Sequence, residues 1–124
     1  MTNARRALGQ LGEDLAAQHL QRLGYVILER NYRCPSGEID IIARDQERLA
    51  FVEVRARRGT AYGTPEESVT SRKQVRLAAV ARHYLQEKGC EDVDWGIDVV
   101  SVEFTSRGVL QRIECLRNAV IEAS

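Results

Sequence analysis

The sequence predicts an α/β protein, a single domain over residues 1–124 with one mixed sheet and flanking helices. Two stretches repeat apolar residues at helical spacing, and five segments rich in Val, Ile, Leu and Tyr are bounded by turn residues. At 124 residues the chain has the length of one ordinary domain. Such a domain buries roughly two thirds of the surface of its unfolded chain, so its core needs no metal or disulfide staple.

The first helix is predicted over 4–23, where Leu8, Leu11, Leu15, Leu20 and Leu23 recur on one side and Gly24 stops it. Gly9 and Gly12 inside it each cost about 1 kcal/mol relative to Ala, which predicts a close neighbour at that turn. Tyr25 to Tyr32 reads as a strand and Cys34-Pro35-Ser36-Gly37 as a turn. Gly37 to Arg44 and Leu49 to Arg57 read as a hairpin joined at Asp45-Gln46-Glu47-Arg48. The stretch from Arg58 to Glu67, with Gly59, Gly63 and Pro65, is predicted irregular.

A second helix follows, capped by Thr70 or Ser71, running to about Lys88 and ended by Gly89; Ser71 with Gln74 has the spacing of a capping box. Asp94 to Phe104 and Val109 to Leu116 read as strands around Ser106-Arg107-Gly108, with a short helical turn expected from Arg117. Residues 1–3 and 118–124 are expected to be disordered ends. The resulting order is α-β-β-β-α-β-β, a mixed sheet with helices packed on it.

No apolar run approaches the roughly 20 residues that span a bilayer, and the N-terminus has no signal-type segment, so the expectation is a cytoplasmic protein without a membrane partner. Cys34, Cys90 and Cys115 lack the close Cys or His spacing that zinc requires and are expected as free thiols. His19 and His83 fall in helical patterns, as packed or solvated side chains. Formal net charge is zero, yet 16 of the 18 basic residues are Arg. Arg55, Arg57, Arg58, Arg72, Lys73 and Arg76 crowd two neighbouring segments. The Arg fork suits phosphate, and a solvated basic face is the other reading of the same residues.

The hairpin carries the chemistry. Centring its turn between Gln46 and Glu47 opposes Ile39 to Val54, Ile41 to Val52 and Ala43 to Ala50 on one wholly apolar face. The other face opposes Glu38 to Arg55, Asp40 to Glu53, Ile42 to Phe51 and Arg44 to Leu49. A one-residue slip would scatter charge onto the apolar face, which selects this register. Two carboxylates then meet across the ladder, a destabilising pair that needs a compensating charge. Mg²⁺ or Mn²⁺ would compensate it, ligated by Asp40, Glu53 and the Val54 carbonyl, with Arg55 beside it on the same face. The other arrangement the spacing allows is a solvated strand end where these acids pair with Arg55 or Arg44.

Gly37-Glu38-Ile39-Asp40, Phe51-Val52-Glu53-Val54-Arg55 and Ser68-Val69-Thr70 leading to Lys73-Gln74 resemble the YraN-like family of uncharacterised bacterial proteins. That family is similar to the PD-(D/E)XK nuclease superfamily, in particular the archaeal Holliday-junction resolvases. The resemblance extends from Arg6-Ala7-Leu8-Gly9 with Gly12-Glu13 to the strand around Asp98. It implies a restriction-endonuclease-like mixed sheet with an α-β-β-β-α-β core, and a metal-dependent endonuclease acting on branched or damaged DNA. The alternative is a non-catalytic nucleic-acid-binding protein on that fold.

By the resemblance, Asp40 and Glu53 match the metal-binding acids, Arg55 stands where Lys is usual, and Glu13 matches an acidic residue of the first helix that joins the catalytic and metal-binding set. Arginine stays charged at ordinary pH and is a poor general base, so Arg55 is expected to orient water or stabilise charge. Arg57, Arg58, Arg72, Lys73, Gln74 and Arg76 are the candidate phosphate contacts, with Gln74 also open to the capping role. Tyr62 is a candidate for stacking on a base, or an ordinary loop tyrosine. Asp98 reads as a buried structural Asp. Resolvase-like relatives imply a homodimer by analogy.

Overall fold

The computed structural model describes residues 2–59 and 70–120, with side chains between 7 and 119. Among the described residues the elements are α1 (Thr2–Arg22), β1 (Val26–Cys34), β2 (Gly37–Asp45), β3 (Arg48–Arg58), α2 (Ser71–Lys88), β4 (Trp95–Phe104) and β5 (Leu110–Val120). The strands form one sheet in the order β1-β2-β3-β4-β5. Neighbours run antiparallel except β3 and β4, which are parallel. Parallel neighbours need a crossover, and α2 supplies it. The mixed α/β class and the element order are those the sequence predicts.

Each sheet face carries its own core. Under α2, Ile42, Phe51, Ile97 and Val99 pack against Leu77, Val80 and Ala81. The Phe51 ring there meets Tyr84 and Trp95 edge-on, at 5.7 Å between centroids in both cases. Under α1, Ile41, Val52, Val100 and Val102 pack against Ala16, Ala17 and Leu20. Small residues let α1 lie close: a Cβ on Gly12 would stand 2.7 Å from that of Ala56. The neighbour expected at this turn is therefore real at Gly12. At Gly9 nothing among the described residues lies within 4 Å of where a Cβ would be.

The helix ends follow their signals. Thr70 accepts a hydrogen bond from the Lys73 N–H at 3.3 Å and caps α2. Gly89 takes the left-handed conformation at φ 65°, and the Cys90 N–H returns to the Leu85 carbonyl at 3.0 Å. Because the cap is Thr70 and not Ser71, Gln74 does not occupy the reciprocal position of a capping box.

The hairpin register is as predicted from Ile41 opposite Val52 to Arg44 opposite Leu49, closed by Asp45 and Arg48. The ladder stops there. The ladder pairs Asp40 with Glu53, Ile39 with Val54 and Glu38 with Arg55 do not form: Ile39 and Glu38 stay with Tyr32 and Arg33 of β1, while Glu53, Val54 and Arg55 follow Val99, Val100 and Ser101 of β4. The sheet thus splits between β2 and β3.

The split has a local cause. Asn31, which the β1–β2 register sets opposite Asp40, has φ 56°, a left-handed conformation that Asn tolerates. Ile39 and Ile41 should share a face by the two-residue period, yet Ile39 joins the core under α2 and Ile41 the core under α1. The pleat is broken at Asp40, and the tip of the β1–β2 arm swings under α2.

At the other end, β5 runs to Val120, so Arg117 to Val120 are strand in place of the expected helical turn and disordered tail. Partners distant in sequence hold them: Arg117 pairs with Asp45 at 2.7 Å, and the Asn118 N–H donates to Asp98 at 2.8 Å. Residues 60–67 of the expected irregular stretch, and Ser68-Val69, lie outside the described residues. No helix among the described residues is long and apolar enough to cross a membrane.

Candidate functional site

Asp40 and Glu53 converge where the sheet divides. The Asp40 Oδ2 accepts the Val54 N–H at 2.7 Å, so the side chain takes the place of the ladder that ends one residue earlier. Burial first, then the Glu53 charge and a hydrogen bond shared with its carboxyl, push the Asp40 carboxyl up to about 7, against the pull of the Val54 N–H. Glu53 is buried at 6% exposure, which excludes a solvated strand end.

Two cations reach Glu53 from different elements. Lys73 Nζ lies 2.5 Å from its Oε2 and Arg55 Nη1 3.6 Å from the same atom. Lys73 belongs to the first turn of α2, which the Thr70 cap orients toward the split. Sequence reasoning placed Lys73 among the phosphate contacts and missed its pairing with Glu53. No local signal encodes that pairing, which depends on how the crossover helix lands. Arg76 lies along the start of β2, its Cδ 3.1 Å from where a Cβ on Gly37 would be. Gly37, with φ 141°, thus leaves room for the arginine beside the carboxylates.

A cavity of about 370 Å³ on the α2 face is lined by Asp40, Glu53, Arg55, Lys73, Arg76 and Leu77 among others. On the α1 face a second cavity, about 420 Å³, is lined by Gly9, Glu13, Asn31, Arg33 and Ala56, and it shares Glu38, Asp40, Val54 and Arg55 with the first. The split opens the site to both faces of the sheet.

Glu13 borders the second cavity but stands apart from the carboxylate pair. Its Oε1 accepts from Arg30 Nε at 2.8 Å and from Asn31 Nδ2 at 3.1 Å. Among the described residues no three His, Cys, Asp or Glu side chains gather closely enough to hold an ion together. Glu13, expected as a third ligand, acts on Asp40 only as a nearby charge that raises it. Of the other candidates, Arg72 and Arg58 are exposed, Arg57 and Gln74 are half-buried, and Tyr62 lies outside the described residues.

Asp98 is the buried structural residue expected. It is fully inaccessible, accepts from Tyr25 Oη at 2.9 Å, from both Arg48 terminal nitrogens and from the Asn118 N–H. Gly96 makes the bridge possible, because a side chain there would collide with Arg48 and Asn118. His83 is packed, its Nδ1 3.0 Å from Tyr32 Oη, and the three cysteines are free.

A model of the Uncharacterised protein family UPF0102 matches residues 12–102. The chain is 44% identical over 119 residues to a UPF0102 protein of Pelotomaculum thermopropionicum, covering 96% of this chain and 99% of that one. A UPF0102 protein of Desulforamulus reducens is 46% identical over 122 residues, 97% of this chain and 100% of its own. One of Acidothermus cellulolyticus reaches 55% over 92 residues, 74% of this chain and 70% of its own. The match covers Glu13, the hairpin acids, Lys73 and Asp98.

Proposed function

This chain belongs to the Uncharacterised protein family UPF0102, and we propose that it is a metal-dependent endonuclease, restriction-endonuclease-like in fold, that cleaves phosphodiester bonds of branched or damaged DNA. One observation carries the reading: two carboxylates converge at the split, within reach of one another and of a lysine from the crossover helix.

The donor set fits a hard divalent cation. Asp40, Glu53 and the Val54 carbonyl are oxygen ligands, and Mg²⁺ commonly takes one or two carboxylates and fills its other positions with water and phosphate oxygens. Burying two like charges side by side is unfavourable, and Lys73 and Arg55 both pair with Glu53, leaving Asp40 with the Val54 N–H. When bound, Mg²⁺ or Mn²⁺ supplies charge neutralisation at the phosphate and acidifies a water.

The chain's own groups do the rest. Arg76 binds a phosphate on the α2 face, near the positive end of the α2 dipole. Arg55 cannot give up its proton, so it orients the phosphate and stabilises developing negative charge. Lys73, held on Glu53, places a second positive charge beside the phosphate and stabilises the same developing charge. The Val54 N–H fixes the rotamer of Asp40.

A non-catalytic nucleic-acid-binding protein is the second reading, favoured by the presence of Arg55 where the resembled superfamily has Lys. The two are separated by incubating the protein with linear, single-stranded and four-way-junction DNA in Mn²⁺. Cleavage abolished by Asp40→Ala and by Glu53→Gln supports the nuclease. Salt-sensitive binding that survives Glu53→Gln, without cleavage, supports the second.

A further inference from the structure

Among the described residues nothing accounts for a glycine at position 9. It sits inside α1, where Ala would be the better helix former, its turn needs no unusual backbone angle, and a Cβ there would meet nothing within 4 Å. Gly12, one turn on, is explained by Ala56; Gly9 is not. What Gly9 does border is the cavity on the α1 face, of about 420 Å³, within the range of sites that hold small organic groups. A side chain at position 9 would grow into that space.

The same cavity holds a buried carboxylate with one oxygen to spare. Glu13 is 8% exposed, and both of its hydrogen bonds, from Arg30 and Asn31, fall on Oε1. Among the described residues Oε2 accepts none. The other polar lining groups are Asn31, Arg33, Glu38, Asp40 and Arg55, with Arg33 Nε on Glu38 Oε2 at 2.7 Å and its terminal nitrogens turned to the exposed side. A bare anion would face Glu13, Glu38 and Asp40 there. A nucleoside suits the lining better: a base or sugar donor for Glu13 Oε2, and Arg33 at the mouth for the adjoining phosphate.

We infer that the α1-face cavity is a nucleoside subsite. It seats the nucleotide next to the phosphate bound by Arg76 on the α2 face, so the bound strand crosses the split between β2 and β3 from α2 to α1. This rests on the endonuclease reading and deepens it by naming the substrate. A nucleotide lodged between α1 and the split strands is out of its stack, so the substrate is DNA with an unpaired nucleotide at the scissile position, and not a continuous duplex.

The test reads binding alone, in EDTA, so that cleavage plays no part. A fluorescein-labelled blunt duplex is compared by anisotropy with the same duplex carrying a three-nucleotide overhang, at either end polarity. The overhang should tighten binding to the wild type at least five-fold. Gly9→Leu should erase that gain, Gly9→Ala reduce it while raising Tm, and Gln18→Leu, on an exposed part of α1, leave it intact. An overhang without effect, or a gain that survives in Gly9→Leu, overturns the subsite. If the gain behaves as expected while Mn²⁺ supports no cleavage of any DNA, the nuclease chemistry fails and the subsite stands.

Discussion

Asp40 holds its proton to near neutrality because ionising it would place a second negative charge beside Glu53 in a poorly hydrated gap. Its folded value, about 7, lies above the 3.8 of the free side chain. The stability it contributes is therefore complete below about 3.8 and is lost as pH rises through about 7. Asp40→Asn removes that dependence and still accepts the Val54 N–H. The variant should be more stable than the wild type at pH 8, on the order of 1–3 kcal/mol, with the gap closing toward pH 4. Denaturant melts of both proteins across that range check it, and a gap that grows on acidification would contradict it. Asp98 matters through its ion pair with Arg48. Asp98→Ala leaves the Arg48 charge buried and unpaired, at a cost of about 3–5 kcal/mol, read as a fall in the urea midpoint.

The elements owe their positions to small residues and caps as much as to the apolar pattern. Gly12→Ala forces α1 away from β3 at Ala56 and should cost about 1–3 kcal/mol by denaturant melt, against the usual benefit of Ala in a helix. Thr70→Ala removes the cap that aims Lys73 and should cost about 1 kcal/mol. Element order and hairpin register were legible in the sequence because both are local: a period of two or 3.6, and a turn between. The break at Asp40 was not legible, since opposing residues 38 to 55 and 39 to 54 assumes a uniform pleat that Asn31 interrupts from the neighbouring strand. Lys73 on Glu53, Glu13 held by Arg30 and Asn31, and Arg117 on Asp45 are likewise pairings between residues far apart in sequence. The carboxylate pair was readable because it lies within one hairpin.

Across the whole molecule the two cores share one sheet, so anything bound at the split acts on both. A ligand that binds the folded state alone raises Tm by mass action. Mn²⁺ at a hundred times its dissociation constant should contribute about 2.7 kcal/mol to the wild type and nothing to Asp40→Ala, with thermal melts at graded metal as the readout. A shift of equal size in both proteins would place the ion elsewhere. The Arg48, Asp98, Tyr25 and Asn118 network fastens β3, β4 and β5 to the connection between α1 and β1, on the side where the hairpin closes. β2 and β3 part on the side away from that turn. What keeps the chain folded is thus spatially separate from what touches a ligand. Substitutions at the forked margin, Arg55 among them, leave the Asp98 bridge untouched, so that end of the sheet can change its side chains without loosening the scaffold.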